Sequence, residues 1–304
     1  MSNEEIKVTI VIVTYNRYKL LKECISCVEQ QSSLVNSIVV VDNNSTDETK
    51  EYLASLNGKG RYHIVSLTEN IGGAGGYYYG IKEAVNCDGE WIILIDDDAM
   101  LAGDFVKHIK ESIKKYPQYS AFSGTVLVDG EIDISHRRLI LSKRRYRIEK
   151  VGKLEYEKEN FPCDLASFCG LVIDKKIIKK IGLPKKEYFI WYDDTEYSYR
   201  INQYTKVLNI NDAIINHKTK ISRSYLGWKS YYGKRNEIDI LRKYYPKTVL
   251  YWNVTKRKLR SIYNAGKYLM KGDYKNAIFT ICVYSDAIRD GLNGKLGKNT
   301  KYLP

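Results

Sequence analysis

The alternation of apolar runs and polar segments predicts an α/β protein. Residues 7–14 form a β-branched run that is too continuous for a strand with one solvent face, so we expect a buried strand of a parallel sheet. Similar apolar runs follow at 37–41, 61–67 and 91–95. The intervening patterns predict helices at 19–30, 76–85 and 105–115, with another helix start at 45–48.

Strands that alternate with helices are typical of a doubly wound sheet, which binds ligands at the carboxyl ends of its strands. After residue 120 the alternation weakens. Residues 122–128 favour a strand, and the basic segment 136–150 is expected to be an exposed, mobile loop or hairpin. From Tyr225 onward the pattern predicts two or three amphipathic helices. We therefore predict domains over 1–217 and 218–304, with their boundary near 218–223.

Polar clusters follow each of the four predicted strands. They lie at 14–17, 42–45, 69–76 and 96–98. Because the carboxyl ends of parallel strands share one edge of a sheet, we expect these clusters to converge on a single crevice.

Three consecutive carboxylates end the fourth strand, at Asp96, Asp97 and Asp98. They repel one another unless a cation lies between them, and oxygen ligands favour Mg²⁺ or Mn²⁺, which often complete their shell with phosphate oxygens. The alternative is an acidic cap for the next helix. The triplet thus predicts a divalent metal site with a phosphate-bearing ligand.

The segment 70–76 contains four glycines immediately before a predicted helix. Glycine allows backbone amides to approach a diphosphate, and a helix N-terminus favours negative charge. Neither a Walker loop nor a Gly-x-Gly-x-x-Gly motif after the first strand is present, which disfavours ATP and NAD folds. A plain flexible turn is the alternative.

Three acids, Asp193, Asp194 and Glu196, open another predicted helix, where the helix dipole favours an ionised carboxylate suited to a general base. A solvated capping cluster would look the same. His217 ends the strand-like segment 213–216 and could complete a metal shell with Asp98, although a lone histidine more often has a structural role. Residues 167–170 are expected beside the site, or in ordinary core packing.

Composition limits the class of protein. No apolar stretch reaches the roughly 18 to 20 residues needed to cross a bilayer, and the segment 1–5 lacks the pattern of a signal peptide, so we expect a cytoplasmic protein. The six cysteines are expected to be reduced thiols used mostly in packing, with a redox pair at Cys24 and Cys27 as the alternative.

The charge is unevenly distributed. Residues 218–304 contain 20 Lys and Arg against 5 Asp and Glu, a net charge of +15, whereas the preceding 217 residues have a net charge of −2. Basic residues interleaved with Trp and Tyr favour peripheral contact with an anionic membrane over nucleic acid, with a solvated helical face or a homo-oligomer interface as alternatives.

These clusters together, from the strand into 14–17 to the acids at 193–196, closely resemble the family 2 glycosyltransferases of the GT-A fold, a Rossmann-like, doubly wound mixed sheet. The resemblance spans residues 7–217. The glycine-rich loop, the acids at 193–196 and the segment 231–236 look most like the bacterial galactofuranosyltransferase branch, which shares features with rhamnosyltransferases.

The resemblance implies an inverting, metal-dependent transfer from a nucleotide sugar to a hydroxyl of a lipid-linked or oligosaccharide acceptor. The donor-binding residues that it implies are Thr14, Tyr15, Asn16, Arg17, Asp42, Asn44, Asn70, Gly72, Gly73, Asp96 and Asp97. It also implies that Asp98 and His217 bind Mn²⁺ or Mg²⁺. Asp194 would be the catalytic base, grouped with Asp193 and Glu196.

The favoured donor is UDP-galactofuranose, and dTDP-rhamnose is the alternative. A sugar-phosphate nucleotidyltransferase is disfavoured because a glycine-rich basic loop would follow its first strand, where residues 14–18 stand here. A basic binding module with a degenerate catalytic fold is the non-enzymatic alternative.

Overall fold

The computed structural model describes residues 5–219 and 227–303. Its strands are β1 (Val8–Thr14), β2 (Ser37–Asp42), β3 (Tyr62–Ser66), β4 (Trp91–Asp96), β5 (Ala99–Leu101), β6 (Ala121–Val128), β7 (Glu131–Ile132), β8 (Arg137–Ser142), β9 (Arg147–Lys150), β10 (Asn160–Cys163), β11 (Leu165–Ala166), β12 (Leu171–Asp174) and β13 (Val207–His217). Its helices are α1 (Tyr18–Glu29), α2 (Thr49–Leu56), α3 (Gly72–Ala84), α4 (Phe105–Lys115), α5 (Lys175–Ile181), α6 (Asp193–Ile201), α7 (Lys229–Tyr244), α8 (Lys247–Met270) and α9 (Tyr274–Leu292). Most of the predicted boundary at 218–223, the predicted helix start at Tyr225 and the segment 1–4 lie outside the described residues.

The main sheet has the order β10-β13-β6-β12-β4-β1-β2-β3. The four strands predicted first, β1 to β4, are neighbours and all parallel. β12 lies between β4 and β6 and is antiparallel to both, which makes the sheet mixed. The carboxyl ends of β1, β2 and β4 therefore share one edge, as the sequence predicts.

Every residue of β1 is buried because helices cover both faces of the sheet. Ile10 and Ile12 pack in one cluster with residues of α1 and α4, whereas Val11 and Val13 pack in another with residues of α3. Complete burial of such a side chain contributes about 1.5–3 kcal/mol. The continuous apolar run follows from this double cover.

α3 begins four residues earlier than the sequence predicts, so the glycine-rich segment forms its first turn. Two of its glycines are needed for packing against β1, because a Cβ on Gly76 would lie 2.3 Å from Val13 Cγ1 and one on Gly80 would lie 2.4 Å from Val11 Cγ1. Gly72 has a φ of +78°, and a Cβ on Gly73 would meet nothing within 4 Å. Gly73 therefore borders open space, whereas Gly72 is buried.

The prediction of an exposed loop or hairpin at 136–150 is partly wrong. β8 and β9 do pair, and with β11 they form a second, three-stranded sheet. The Arg137 side chain, however, is fully buried and donates to the carbonyl oxygens of Gly124 (2.7 Å) and Cys169 (3.1 Å). A buried guanidinium with satisfied donors is a structural connector, and charge alone did not distinguish it from the exposed arginines that follow.

The chain divides into two compact units. Within the described residues, the first comprises 5–139, 149–186 and 194–219, and the second comprises 140–148, 187–193 and 227–303. In the second unit α7, α8 and α9 pack on one another. A buried cluster joins α7 and α9 to two further segments and consists of Phe189, Tyr231, Tyr232, Val283, Ala287 and Tyr302. Arg235 is buried there and donates to the carbonyl oxygens of Glu187, Tyr188 and Gly297.

In the two described ranges, no helix combines the length and the apolar character that crossing a bilayer requires. The six cysteines are all free, and Cys24, Cys163 and Cys169 are buried.

Candidate active site

The carboxylates that end β4 meet the end of β1. Thr14 Oγ1 donates to Asp97 Oδ2 (2.7 Å), and Arg17 Nη1 lies 3.0 Å from Asp97 Oδ1 and 2.7 Å from Asp98 Oδ2. The segments 14–17 and 96–98 are therefore in direct contact, as the sequence predicts. Arg17 neutralises part of the negative charge of Asp97 and Asp98.

β13 brings His217 to the same place. β5 pairs antiparallel with β13 so that His217 stands opposite Ala99, one residue beyond Asp98. His217 Nε2 lies 3.1 Å from Asp98 Oδ1, and the backbone N–H of Lys218 donates to the Asp98 carbonyl oxygen (2.8 Å). The predicted pair of metal ligands, 119 residues apart in sequence, is thus in hydrogen-bond contact.

The third carboxylate has other neighbours. Tyr77 of α3 donates its hydroxyl to Asp96 Oδ1 (2.7 Å). Ligand atoms of Asp96, Cys169 and His217 lie within 4.8 Å of one another. Cys169 belongs to the segment 167–170 that was expected beside the site.

The ionisation of this cluster reflects burial and close charges. Burial raises the pKa of Asp97 to about 7, although Arg17 and Thr14 act in the opposite direction. Burial also raises the pKa of Asp96, with a further contribution from the charge of Asp98. For Asp98, burial is outweighed by His217 and Arg17, which lower its pKa. Asp98 in turn outweighs burial at His217 and raises the pKa of the imidazole.

The residues present fit a divalent cation. Carboxylate oxygens with one imidazole suit Mn²⁺ or Mg²⁺ better than a thiol does, and burial keeps the pKa of Cys169 well above its usual range, so that residue remains a thiol. In the described part of the chain, the buried Nδ1 of His217 has no hydrogen-bond partner. An unsatisfied buried nitrogen beside ionised Asp98 is a feature that an added ligand or cation would explain.

Two loops beside the cluster are joined by side chains of the predicted nucleotide pocket. The N–H of Asn16 donates to Ser45 Oγ (2.9 Å), and Asn16 Oδ1 accepts from the N–H of Thr46 (2.7 Å). Asp42 is buried and one of its oxygens accepts from the N–H of Ser45 (2.8 Å). These contacts hold the loop after β1 against the loop after β2.

Three further predicted donor residues, Tyr15, Asn44 and Asn70, lie in the loops that follow β1, β2 and β3. Tyr15 is exposed, Asn44 has a φ of +64° and Asn44 Oδ1 accepts from Lys50 Nζ (3.3 Å). Asn70 Oδ1 accepts from the N–H of Gly72 (2.9 Å). These contacts hold the loops in shape.

Asn43 was missed by sequence reasoning. Its Nδ2 donates to the carbonyl oxygen of Gly72 (2.8 Å), and its Oδ1 accepts from the N–H of Ile71 (3.0 Å). This one amide fixes the glycine-rich segment to the end of β2. Its position between Asp42 and Asn44 was the only available signal.

The acids at the start of α6 occupy different environments. Glu196 is buried and forms ion pairs with Arg200 (2.8 Å) and Lys185 (3.8 Å). Asp193 is buried, whereas Asp194 is half-buried, and its Oδ1 accepts from Thr195 Oγ1 (2.9 Å). Of the three acids, Asp194 is the one that is partly exposed and whose carboxylate forms no ion pair with another described residue.

α6 is attached to the strand that leads into the cluster. Ser198 Oγ donates to the carbonyl oxygen of Ala166 (3.0 Å) and accepts from its N–H (3.1 Å). Ala166 precedes Cys169 by three residues. Arg138 Nη2 donates to Thr195 Oγ1 (2.8 Å), and the buried Arg138 Nε has no partner within the residues described. Sequence reasoning placed this arginine in an exposed loop.

Comparison with known proteins shows the family. The family model for "Glycosyl transferase family 2" matches residues 9–182. The dTDP-rhamnosyl transferase RfbF of Shigella flexneri is 28% identical over 201 residues, covering 66% of this chain and 64% of that protein. Galactofuranosyltransferase GlfT1 of Mycolicibacterium smegmatis is 24% identical over 204 residues, covering 66% and 67%. The chain thus spans about two thirds of the length of these relatives.

A third relative and two solved structures extend the comparison. The GalNAc(5)-diNAcBac-PP-undecaprenol beta-1,3-glucosyltransferase of Campylobacter jejuni is 27% identical over 131 residues, covering 42% of this chain and 41% of that protein. The crystal structure of GalNAc-T7 with UDP, GalNAc and Mn²⁺ has a TM-score of 0.63 at 16% identity, covering 79% of this chain and 48% of that one. S. aureus TarS 1-349 has a TM-score of 0.55 at 13% identity, covering 95% and 83%. These two structural likenesses concern the fold alone.

Proposed function

The chain belongs to glycosyl transferase family 2 and has the GT-A fold, and from this premise we propose that it is an inverting, metal-dependent enzyme. It would move one sugar from a nucleoside diphosphate sugar to a hydroxyl of a glycan acceptor. The observation that carries this proposal is the contact of Asp98 with both His217 and Arg17, at the strand ends where a ligand of this fold binds.

The donor is held at the end of β1 and at the start of α3. Thr14 to Arg17, Asp42 and Asn44 form the nucleotide side. Asp96 faces the ribose or the sugar, and Asp97 lies beside it, bonded to Thr14 and Arg17. Asn70, Gly72 and Gly73 lie along the diphosphate, since a Cβ on Gly73 would meet only open space and the N-terminus of α3 favours negative charge.

Asp98 and His217 would hold the cation. Mn²⁺ or Mg²⁺ bound there would neutralise the charge that develops on the leaving diphosphate. Arg17, which contacts Asp97 and Asp98, supplies a second positive charge to the same region.

Asp194 accepts the proton of the acceptor hydroxyl as that oxygen attacks the anomeric carbon from the face opposite the diphosphate. A half-buried carboxylate suits this task because it is reachable and still partly desolvated. Asp193 and Glu196 support it at the start of α6, where the ion pairs of Glu196 with Arg200 and Lys185 hold the helix in place.

The donor is UDP-galactofuranose or dTDP-rhamnose. By their names, the Mycolicibacterium smegmatis relative transfers galactofuranose and the Shigella flexneri relative transfers rhamnose from dTDP-rhamnose. A lipid-linked glycan at the inner face of the cell membrane is the acceptor, in line with the undecaprenol in the name of the third relative. The product would then belong to a surface polysaccharide.

A nucleotide-release assay tests this proposal. The full chain is incubated with each donor, Mn²⁺ and a lipid-linked glycan acceptor, and released UDP or dTDP is measured with and without EDTA. We expect release from one of the two donors, lost with EDTA and restored by excess Mn²⁺. Release that is insensitive to EDTA would contradict the metal role, and retention of the donor's anomeric configuration in the product would contradict inversion.

A further inference from the structure

The outward face of α8 is apolar although it is not covered by any described part of the chain. Trp252 is 61% exposed, and Leu259 and Ile262 are each 63% exposed. The complete set on this helix is Tyr251, Trp252, Leu259, Ile262, Tyr263, Leu269 and Met270. At 100° per residue these positions occupy an arc of roughly 120° and extend along about 28 Å of helix. We call this set the α8 stripe.

The inward face of the same helix is made of smaller and partly polar residues. They are Val249, Leu250, Asn253, Val254, Ser261 and Ala265. The apolar side chains that α8 exposes to solvent are therefore larger than those that it buries. This reverses the usual arrangement of a surface helix. The exposed residues Tyr274, Ile278 and Ile281 at the start of α9 add to the apolar surface of this unit. An exposed apolar surface of this kind marks a contact site.

Charge identifies what the stripe contacts. α8 contains six Lys or Arg and no Asp or Glu. On a helical wheel Lys256, Arg260 and Lys267 follow one edge of the α8 stripe, and Lys247 and Lys258 follow the other. Lys256 Nζ lies 5.1 Å from the centre of the Trp252 ring. Apolar and aromatic residues bordered by cations on both sides are typical of a helix that lies in the interface of an anionic bilayer.

A basic cleft adjoins the first turns of α8. It has a volume of about 400 Å³ and is lined by Arg144, Arg145, Thr248, Val249, Trp252 and Lys256. Among the described residues, no carboxylate forms an ion pair with Arg144, Arg145 or Lys256. Three cations and a hydroxyl beside an indole ring match the chemistry of a phosphate attached to an apolar chain.

We propose that α8 lies flat on an anionic membrane, with its stripe at the level of the acyl boundary and the phosphate of a phospholipid headgroup in the basic cleft. A second copy of this chain fits the stripe less well, because the flanking cations of two copies would face one another. Nucleic acid offers no partner for Leu259, Ile262 and Met270. The proposal goes beyond the proposed transfer reaction and does not depend on it.

Vesicle binding of the full chain tests the cleft. We compare the parent with R144Q/R145Q/K256Q and with a control that removes the same charge from exposed positions of α5, K176Q/K179Q/K180Q. On phosphatidylglycerol vesicles the cleft variant is expected to bind on the order of a hundredfold more weakly than the parent, and the control no more than a few-fold more weakly. An equal loss of vesicle affinity in both variants would overturn specific binding in the cleft, because net charge alone would then explain the binding.

Tryptophan quenching by brominated phospholipids tests the stripe. Quenching is expected in the parent and strongly reduced in Trp252→Phe, a substitution small enough to preserve the fold. Unchanged quenching in that variant would show that another part of the chain inserts. A concentration-dependent dimer that is abolished by L259S/I262S, together with no vesicle binding by the parent, would assign the stripe to a second copy and overturn the proposal.

Discussion

Three neighbouring carboxylates at the end of β4 have three different sets of contacts. Asp96 accepts from Tyr77, Asp97 accepts from Thr14 and Arg17, and Asp98 contacts Arg17 and His217. Asp96 ends β4, whereas Asp97 and Asp98 form the turn before β5, so one short run can serve several roles. The pKa of Asp98 is lowered while those of Asp96 and Asp97 are raised, so Asp98 is the member best suited to bind a cation.

Asp98→Asn is expected to weaken Mn²⁺-dependent nucleotide binding by about a hundredfold or more, because loss of an outer partner of a metal site alone costs 10–100-fold. The rise in unfolding temperature with Mn²⁺ and UDP or dTDP measures this effect. The matched control is Asp212→Asn, which changes an exposed carboxylate of β13. A parent-like shift in the Asp98 variant would remove Asp98 from the metal site.

Asp194→Asn is expected to lower the rate of transfer by about 10²–10⁴-fold, since the amide cannot accept the hydroxyl proton. Nucleotide binding should change little, because no donor contact is assigned to this residue. Steady-state rates and the nucleotide-dependent thermal shift, measured on the same preparations, separate the two effects. Near-parental turnover would mean that another group is the base.

At the scale of elements, β13 determines the geometry of the metal site. It pairs with β10, β6 and β5, and its register against β6 shifts between Ile210 and Ile214. The irregular segment brings the carbonyl oxygen of Ala213 so close to Gly124 that a Cβ on that glycine would lie 2.2 Å from it. Four residues beyond Ala213, the same strand places His217 opposite Ala99.

Gly124→Ala is expected to lower the free energy of unfolding by about 1–3 kcal/mol or more, because the neighbouring atom is backbone and cannot rotate away. Chemical denaturation measures the loss. Gly152→Ala is the control, since nothing lies within 4 Å of its Cβ position and its φ of −67° is ordinary. Equal stability of the two variants would show that β13 can shift without cost.

At the scale of the whole molecule, two electrostatic systems are separated along the chain. The carboxylates of the active site are largely buried and paired, whereas most of the excess of +15 after residue 217 comes from exposed lysines and arginines. Salt screens exposed charges far more than buried ones, with a Debye length that falls from about 10 Å at 0.1 M to about 3 Å at 1 M.

Raising the salt concentration from 0.05 M to 0.5 M is therefore expected to release most of the full chain from phosphatidylglycerol vesicles. Nucleotide release with a soluble acceptor should change by less than about threefold over the same range, because buried pairs are screened much less. Vesicle co-sedimentation and the release assay, run in the same buffers, give both numbers. Parallel losses would show that the exposed charges also support turnover.

The sequence by itself determined the parallel core, its polar strand ends and the family. These features depend on short segments of sequence. A continuous β-branched run predicts a strand that is buried on both faces, and carboxylates at the end of a parallel strand are expected at the edge of the sheet where the other parallel strands also end. The resemblance to family 2 glycosyltransferases, carried by those same residues, is confirmed.

Only the tertiary structure decided features that depend on residues far apart in the chain. Burial of Arg137 needs carbonyl groups from two other segments, the use of Gly76 and Gly80 depends on their contact with β1, and the role of Asn43 depends on where α3 begins. Which apolar residues of α8 face outward was equally undecided, because the composition of a helix does not reveal which face its neighbours cover.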